Sequence, residues 1–180
     1  ESVTSEDVVV DTGNQMQKYV IPKGKRSRIL LEDGTQVWLN ADSKLEYGDN
    51  FLGGKTREVA LQGEAYFDVT PDKSRPFIVH VQGVDIKVLG TSFNVKGYNG
   101  ESKVEATLVH GKISIAGDGD KDRITLAANQ RAVFLKENKK LLVENNVETD
   151  TYTSWRKGVL VFDDQPLDEI FPILERTFNV

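Results

Sequence analysis

The chain has 180 residues, of which 38% are hydrophobic and 28% are charged, and its formal net charge at pH 7 is −5. This composition supplies a packed core, which excludes a disordered chain, and the acidic balance excludes the basic face that nucleic-acid binding needs. The absence of cysteine excludes disulfides, thiol catalysis and cysteine-ligated zinc.

The first 25 residues are polar and mixed, and they predict an N-terminal arm. The chain begins at Glu1 instead of a methionine and ends in the apolar stretch 178–180. We therefore expect both ends to be cuts within a longer protein. No run approaches the roughly 18 apolar residues of a membrane span, so any membrane helix of the full protein is expected outside this sequence.

Residues 26–148 consist of short runs rich in β-branched and aromatic residues, separated by turn residues such as Asp33-Gly34 and Asn99-Gly100. Several runs alternate apolar and polar side chains, as residues 78–81 do. The pattern predicts an all-β domain, an antiparallel sandwich or roll of many short strands. The predicted strands are 28–31, 35–39, 43–47, 56–61, 65–69, 77–81, 85–89, 92–95, 104–109, 112–115, 124–126, 131–135 and 141–143.

The pattern changes over residues 149–180, which predict the first strand and helix of a small, truncated α/β subdomain. Val159, Leu160, Val161 and Phe162 predict a strand. Asp163 and Asp164 then precede Pro166, a typical start for a helix. The apolar residues that follow recur at helical spacing; they are Leu167, Ile170, Phe171, Leu174 and Phe178. Pro172 predicts either a kink or a later start of this helix.

Three aspartates have the alternate spacing of the first ligands in a calcium loop, namely Asp118, Asp120 and Asp122. The sixth position of such a loop needs glycine and the twelfth a glutamate. Arg123 and Asn129 occupy these positions. The group therefore predicts a solvated turn and no metal site.

Other candidate chemistry is sparse. His80 and His110 lie at isolated strand positions and predict neither catalysis nor metal binding. A glycosidase would need two carboxylates that flank a cleft, and the candidates are Glu64, Asp68, Glu101 and Glu105. A carbohydrate-binding sandwich would instead need exposed aromatic side chains on one face. The sequence predicts no catalytic residue, metal or cofactor, and these two alternatives stay open.

Four segments resemble the periplasmic part of FecR-type transmembrane anti-sigma regulators, particularly the Bacteroidetes versions. Residues 31–40, LEDGTQVWLN, resemble the pattern LPDGTxVwLN. Residues 63–69 with 76–79, GEAYFDV and PFIV, resemble GEAyFdV and PFxV. Residues 88–95, VLGTSFNV, match VLGTxFnV, and residues 109–113 stand where the family has veGkV. The likeness runs in order over residues 24–180, although Glu32, the turn at 126–130 and Pro172 depart from it.

The residues of this signature have a physical reading as fold determinants. Glycines suit turns and close backbone contacts, Asp33 and Asn40 can bond to turn backbone, and the aromatic residues can anchor a core. The signature therefore predicts a fold without marking an active site. Its residues are Asp33, Gly34, Trp38, Asn40, Gly63, Glu64, Phe67, Phe77, Gly90, Phe93 and Gly111.

The resemblance implies a protein with a short cytoplasmic domain that holds an extracytoplasmic-function sigma factor, one membrane helix, and this chain in the periplasm. The implied periplasmic partner is the N-terminal signalling domain of a TonB-dependent outer-membrane transporter. Residues 159–162 predict a strand that either pairs within the rest of its own subdomain or, as an edge strand, accepts a strand from this partner. The function implied is signal relay by protein–protein contact.

Overall fold

The computed structural model describes residues 9–11, 16–117 and 123–180 of the chain. The described residues form fourteen strands, three α-helices and one 3₁₀ turn. The strands are β1 (Val9–Asp11), β2 (Met16–Ile21), β3 (Ser27–Leu30), β4 (Gln36–Leu39), β5 (Ser43–Gly48), β6 (Arg57–Asp68), β7 (Phe77–Val81), β8 (Val84–Val88), β9 (Ser92–Gly97), β10 (Lys103–His110), β11 (Ile113–Gly117), β12 (Ile124–Leu126), β13 (Gln130–Leu135) and β14 (Lys140–Asn145). The helices are α1 (Asn50–Gly53), α2 (Thr149–Thr153) and α3 (Leu167–Phe178), and the 3₁₀ turn is Ser154–Lys157.

The strands form two layers that share β6. The first sheet has the order β1–β2–β5–β6–β7–β8–β11–β12, and the second has β3–β4–β6–β9–β10–β13–β14. β6 pairs in parallel with β7, and the other described pairs are antiparallel. This is the all-β architecture that the sequence predicted, and the alternation of apolar residues turns one face of each sheet inward.

Gly63 lets β6 pass from one sheet to the other. Residues 57–62 pair within the first sheet and residues 63–68 within the second. Gly63 has φ +104°, and a Cβ there would lie 2.8 Å from the Cα of Ser43, so a side chain does not fit. The prediction of two separate strands around Gly63 is therefore wrong: this glycine bends one long strand, where a strand end was expected.

The core lies between the two sheets. Phe67 stacks on Phe93 with ring centroids 5.2 Å apart, and it meets Phe77 edge to face at 5.9 Å. A Cβ on Gly117 of the first sheet would clash with the ring of Phe134 in the second, which shows how closely the layers approach. The three phenylalanines of the signature are buried and are core anchors, as predicted.

A buried ion pair fixes the β3–β4 turn to the start of β6. Nη1 of Arg57 lies 2.7 Å from Oδ2 of Asp33, and the two side chains are 0% and 2% exposed. Arg57 also donates to the carbonyls of Thr70 and Arg75. Asp33 accepts hydrogen bonds from the backbone and hydroxyl of Thr35. Asp33 is thus a turn residue, as predicted, and also the counterion of a buried arginine.

Three sequence predictions differ from the structure or fall outside it. Met16–Ile21 pair with β5 along six residues, so this part of the predicted N-terminal arm belongs to the first sheet. The predicted strand at 159–162 is wrong, because these residues run across the outer face of the second sheet and meet no strand edge. The aspartates at 118–122 lie outside the described residues.

The helix predicted after Pro166 is present as α3, and Pro172 lies inside it. Its first turn contains Asp168 and Glu169, whose charges favour the positive end of the helix dipole. Within the described ranges, no helix combines the length and apolar character needed to cross a bilayer.

Candidate interaction site beneath the C-terminal segment

Residues 149–180, here called the C-terminal segment, cross the outer face of the second sheet and enclose a polar pocket. The pocket has a volume of about 600 Å³. Its floor is formed by outward-facing side chains of β6, β9, β10 and β13, and its roof by α2, the 3₁₀ turn, the loop 158–166 and α3. The pocket therefore lies between the C-terminal segment and the outer face of the second sheet.

A row of alternating charges crosses the pocket floor. Glu64 pairs in register with Lys96, which pairs in turn with Glu105. The carboxylate of Glu64 accepts hydrogen bonds from the side-chain amides of Asn40 at 2.8 Å and Asn94 at 2.9 Å. Removal from water raises the pKa of Glu64, although the charge of Lys96 and both amides favour its ionised form.

Trp155 anchors the C-terminal segment to this floor. Its side chain is 5% exposed, and its indole N–H donates to Oδ1 of Asn94 at 3.0 Å. The amide of Asn94 donates in turn to Glu64, and Arg26 hydrogen-bonds to the carbonyl of Trp155. Glu64, a residue of the signature, is thereby connected through Asn94 to the anchor of the C-terminal segment.

Arg156 covers the aromatic side chains of the outer face. Its guanidinium lies 3.5 Å from the ring centroid of Tyr66 and 5.4 Å from that of Trp38. Trp38 therefore lies outside the core, on the outer face of the second sheet, which differs from the sequence prediction. Because a sugar ring needs an uncovered aromatic face, this arrangement disfavours a carbohydrate-binding platform here.

The candidate glycosidase carboxylates are engaged by cations and hydrogen bonds. Glu105 lies 2.6 Å from Arg131 and 3.4 Å from Lys103. Glu101 lies 2.7 Å from Arg176. Asp68 accepts a hydrogen bond from Ser92. Glu64 and Glu105 do share the pocket, but Lys96 stands between them in the strand register. This arrangement ties neighbouring strands together.

α3 has no fully buried residue; Ile170, Ile173 and Leu174 in its middle are half-buried, and its ion pairs with the β-domain lie near its two ends. Glu169 lies 2.8 Å from Nζ of Lys103. Near the other end, Arg176 pairs with Glu101 and lies 3.7 Å from the ring centroid of Tyr98. The backbone N–H of Gly24 donates to the carbonyl of Arg176 at 2.7 Å.

The C-terminal segment is rich in exposed apolar and acidic side chains, and those of residues 159 and 161–164 also line the pocket. Seven of the thirteen exposed large hydrophobic residues in the described ranges lie within residues 159–180; they are Val159, Val161, Phe162, Leu167, Phe171, Phe178 and Val180. The exposed carboxylates make no ion pair with another described residue; they are Asp163, Asp164, Asp168 and Glu175. Three of the predicted partner-binding residues thus belong to this exposed surface, and Leu160 is half-buried.

Of the two histidines, His80 has charged neighbours. His80 lies on the first sheet between two carboxylates, with Nδ1 2.7 Å from Asp85 and Nε2 3.2 Å from Glu58. Burial opposes protonation of His80, but the two carboxylates outweigh it and raise its pKa. The sequence did not predict the grouping of His80 with Asp85 and Glu58, because Glu58 lies on β6 and meets His80 of β7 only when the two strands pair. Across residues 9–11, 16–117 and 123–180, no three His, Asp or Glu side chains are placed to hold a metal ion.

Comparisons with known proteins give a consistent family. The model of the FecR protein family matches residues 17–114. Two crystal structures of a candidate anti-sigma factor from Parabacteroides distasonis ATCC 8503 share 31% identity with the chain. One has a TM-score of 0.84 and covers 91% of this chain and 75% of its own. The other has a TM-score of 0.83 and covers 90% and 74%. No curated protein sequence matches the chain.

Proposed function

The chain belongs to the FecR protein family, and from this premise we propose that it is the periplasmic relay part of a transmembrane anti-sigma regulator. In this proposal the chain receives a signal by contact with the N-terminal signalling domain of a TonB-dependent outer-membrane transporter. A separate cytoplasmic domain, joined by one membrane helix, holds an extracytoplasmic-function sigma factor. The relay needs no catalytic group, metal or cofactor in this chain.

The observation that carries the proposal is the exposed surface of the C-terminal segment. Most exposed large hydrophobic side chains of the described ranges lie there, and such clustering is typical of protein–protein contact sites. In the β-domain most apolar residues are packed between two sheets, and the six exposed large hydrophobic residues are spread over residues 16–143. We therefore assign contact with the partner to the C-terminal segment and its support to the β-domain.

Charge indicates the chemistry of the partner. Residues 158–180 contain five acidic residues and one basic residue, a net charge of 1 − 5 = −4, whereas the whole chain carries −5. The basic residue, Arg176, is already paired with Glu101. Apolar side chains surrounded by unpaired carboxylates fit a partner surface that presents apolar groups flanked by lysine or arginine.

The predicted partner-binding residues take part in this proposal through their side chains. Val159, Val161 and Phe162 are exposed at the pocket, and Leu167 and Phe171 of the following helix are exposed as well. Strand addition by a partner needs a strand edge, and residues 159–162 form none. The contact that we propose is therefore made by apolar side chains in place of the expected ladder of backbone hydrogen bonds.

Calorimetric titration tests this function. The chain is titrated against the isolated periplasmic N-terminal domains of the TonB-dependent transporters from the same organism, and against glycans as a separate series. We expect saturable binding to one transporter domain, weakened by added salt because the contact includes charge. Binding to a glycan with no binding to any transporter domain would overturn the proposal and favour the carbohydrate-binding alternative.

A further inference from the structure

The polar contacts that hold α3 to the β-domain lie at its two ends, and the apolar residues between them are only half-buried. The ion pair of Glu169 with Lys103 holds one end, and the contacts of Arg176 and Gly24 hold the other. The pocket of about 600 Å³ lies beside the span between these contacts. Because Ile170, Ile173 and Leu174 of α3 are half-buried and no residue of the helix is fully buried, the apolar burial that fixes most helices is incomplete here.

Both ion-pair partners on the β-domain have a second partner of their own. Lys103 lies 3.4 Å from Glu105, and Glu101 lies 3.6 Å from Lys96. If α3 leaves, neither Lys103 nor Glu101 is left without an opposite charge. An ion pair is hard to break when it leaves an uncompensated buried charge, and this condition is absent at both ends of α3.

A change of attachment at Gly158 marks the boundary of the detachable part. Before it, Trp155 is buried and bonded to Asn94. Gly158 has φ +81°, a conformation that glycine adopts without strain. After it, the N–H of Val159 still donates to the carbonyl of Ser154 at 3.3 Å, but the side chains of Val159 and Val161 are exposed and no strand pairing holds the loop. The chain thus passes at one residue from a firmly packed turn to a loosely held loop and helix.

We propose that residues 159–180 form a strap that leaves the second sheet as a unit, pivoting at Gly158 while Trp155 keeps α2 in place. The inference goes beyond the proposed function, because it stands on contacts within this chain. Its consequence is a physical connection between α3 and the turn that follows β2. The carbonyl of Arg176 accepts the N–H of Gly24, in the turn between β2 and β3, so that docking or release of the strap changes a contact made directly after β2.

A reversible cross-link tests the strap. A Cβ built on Gly24 would lie 3.2 Å from the Cβ of Asn179, close to the separation of about 3.5–4.5 Å found in disulfides. The chain has no cysteine of its own, so Gly24→Cys with Asn179→Cys forms a single defined bridge. Amide hydrogen exchange of α3 is then compared between the oxidised and the reduced form of this variant. Both forms carry the same two substitutions, so they differ only in the disulfide.

We expect α3 amides of the reduced variant and of the unaltered chain to exchange at least tenfold faster than amides of β9 and β10. Oxidation should slow α3 at least tenfold and leave β9 and β10 unchanged. Equal protection of α3 and the sheet in the unaltered chain would overturn the inference, and so would an oxidised form that exchanges like the reduced one.

Salt provides a second test that needs no substitution. Raising NaCl from about 0.1 M to about 1 M shortens the Debye length from about 10 Å to about 3 Å. Because ion pairs hold both ends of the strap, we expect α3 amides of the unaltered chain to exchange several-fold faster at high salt. Amides of α2, which Trp155 holds, should stay unchanged. No salt effect on α3, or an equal effect on α2, would contradict the strap. Both tests are independent of any partner, so their failure would leave the proposed function standing.

Discussion

The β-domain and α3 both contain ion pairs, but the two regions place them in different environments. Arg57 and Asp33, in the β-domain, are 0% and 2% exposed. Two pairs hold α3: Lys103 and Glu169 are 23% and 38% exposed, and Arg176 and Glu101 are 12% and 20% exposed. Solvent therefore screens the pairs of α3 more than it screens the buried pair.

The difference shows how one chain can combine a fixed scaffold with a detachable element. Removing one partner of a buried pair leaves a charge without solvent or counterion and costs about 3–5 kcal/mol. A partly exposed pair contributes only about 0–1 kcal/mol. Burial therefore decides which contact is permanent.

The largest expected effect comes from the buried pair. Asp33→Asn should lower the free energy of unfolding by about 3–5 kcal/mol, because it leaves the guanidinium of Arg57 uncompensated in the interior. Urea denaturation followed by circular dichroism measures the change. Asp168→Asn is the control, since Asp168 is exposed and outside any ion pair with the described residues, and it should change stability by less than about 0.5 kcal/mol. Equal losses of stability in both variants would contradict the claim that the buried ion pair matters more than an exposed charge.

The bend in β6 gives the next largest effect. Gly63→Ala should destabilise the chain by at least about 2 kcal/mol, because the left-handed conformation costs about 1–2 kcal/mol for a side chain and the new Cβ meets Ser43. Thermal unfolding by calorimetry measures the loss. Gly53→Ala is matched to it, because a Cβ at Gly53 has nothing within 4 Å, and it should be close to neutral. A tolerated Gly63→Ala would refute the proposed role of this residue as a bend.

The ion pair of α3 should give a smaller, local effect. Glu169→Gln should change global stability by less than about 1 kcal/mol, while the exchange of α3 amides increases by a few-fold. Glu175→Gln is the control, because Glu175 is exposed and has no ion pair with another described residue. An increased exchange in the control as well, or a global loss of stability in Glu169→Gln, would contradict the separation of the two regions.

The same pair predicts a pH dependence. The hydrogen bond from Lys103, with support from Gln165 and the charge of Lys96, lowers the pKa of Glu169. A lowered pKa means that docking is stabilised above the ordinary pKa of glutamate and that this stabilisation is lost as pH falls through the lowered value. Protection factors of α3, with the intrinsic exchange rate divided out, should therefore fall under acid conditions before those of β10 do. A simultaneous loss would argue that the strap and the sheet open together.

The smallest effect concerns His80. Its raised pKa means that its ion pairs with Asp85 and Glu58 stabilise the fold below the ordinary pKa of histidine, and that this contribution is lost as pH rises through the raised value. All three side chains are exposed, so His80→Gln should cost only a few tenths of a kcal/mol at pH 5.5 and nothing at pH 9. Urea midpoints at both pH values measure this difference in stability. A larger loss of stability at pH 9 than at pH 5.5 would contradict the prediction.

The local patterns of the sequence predicted much of the fold. Period-two alternation located most strands, and the apolar stripe with its acidic start located α3. The continuity of β6 was missed because a glycine between two apolar runs has the same appearance in a turn and in a bend. The pairing of Arg57 with Asp33 was missed because the two residues are 24 positions apart and meet only when the sheets form.

The sequence indicated which residues form the candidate site, but not their backbone conformation or their contacts. Val159–Phe162 were predicted as a strand because three of the four residues are β-branched or aromatic, yet a strand needs a neighbouring edge, which the sequence does not show. The role of Glu64 was also hidden. Its neighbours Asn94 and Lys96 come from β9, so the polar floor depends on strand register that only the folded chain defines.

A matched pair of substitutions tests the central claim, that the C-terminal segment makes the partner contact and the β-domain supports it. Leu167, on α3, is 66% exposed and Leu30, on β3, is 68% exposed. Each is changed to serine, and both variants are titrated calorimetrically against the transporter domain that binds the unaltered chain. The account predicts at least tenfold weaker binding for Leu167→Ser and unchanged binding for Leu30→Ser. Unchanged binding of Leu167→Ser together with a loss in Leu30→Ser would contradict it and place the contact on the β-domain.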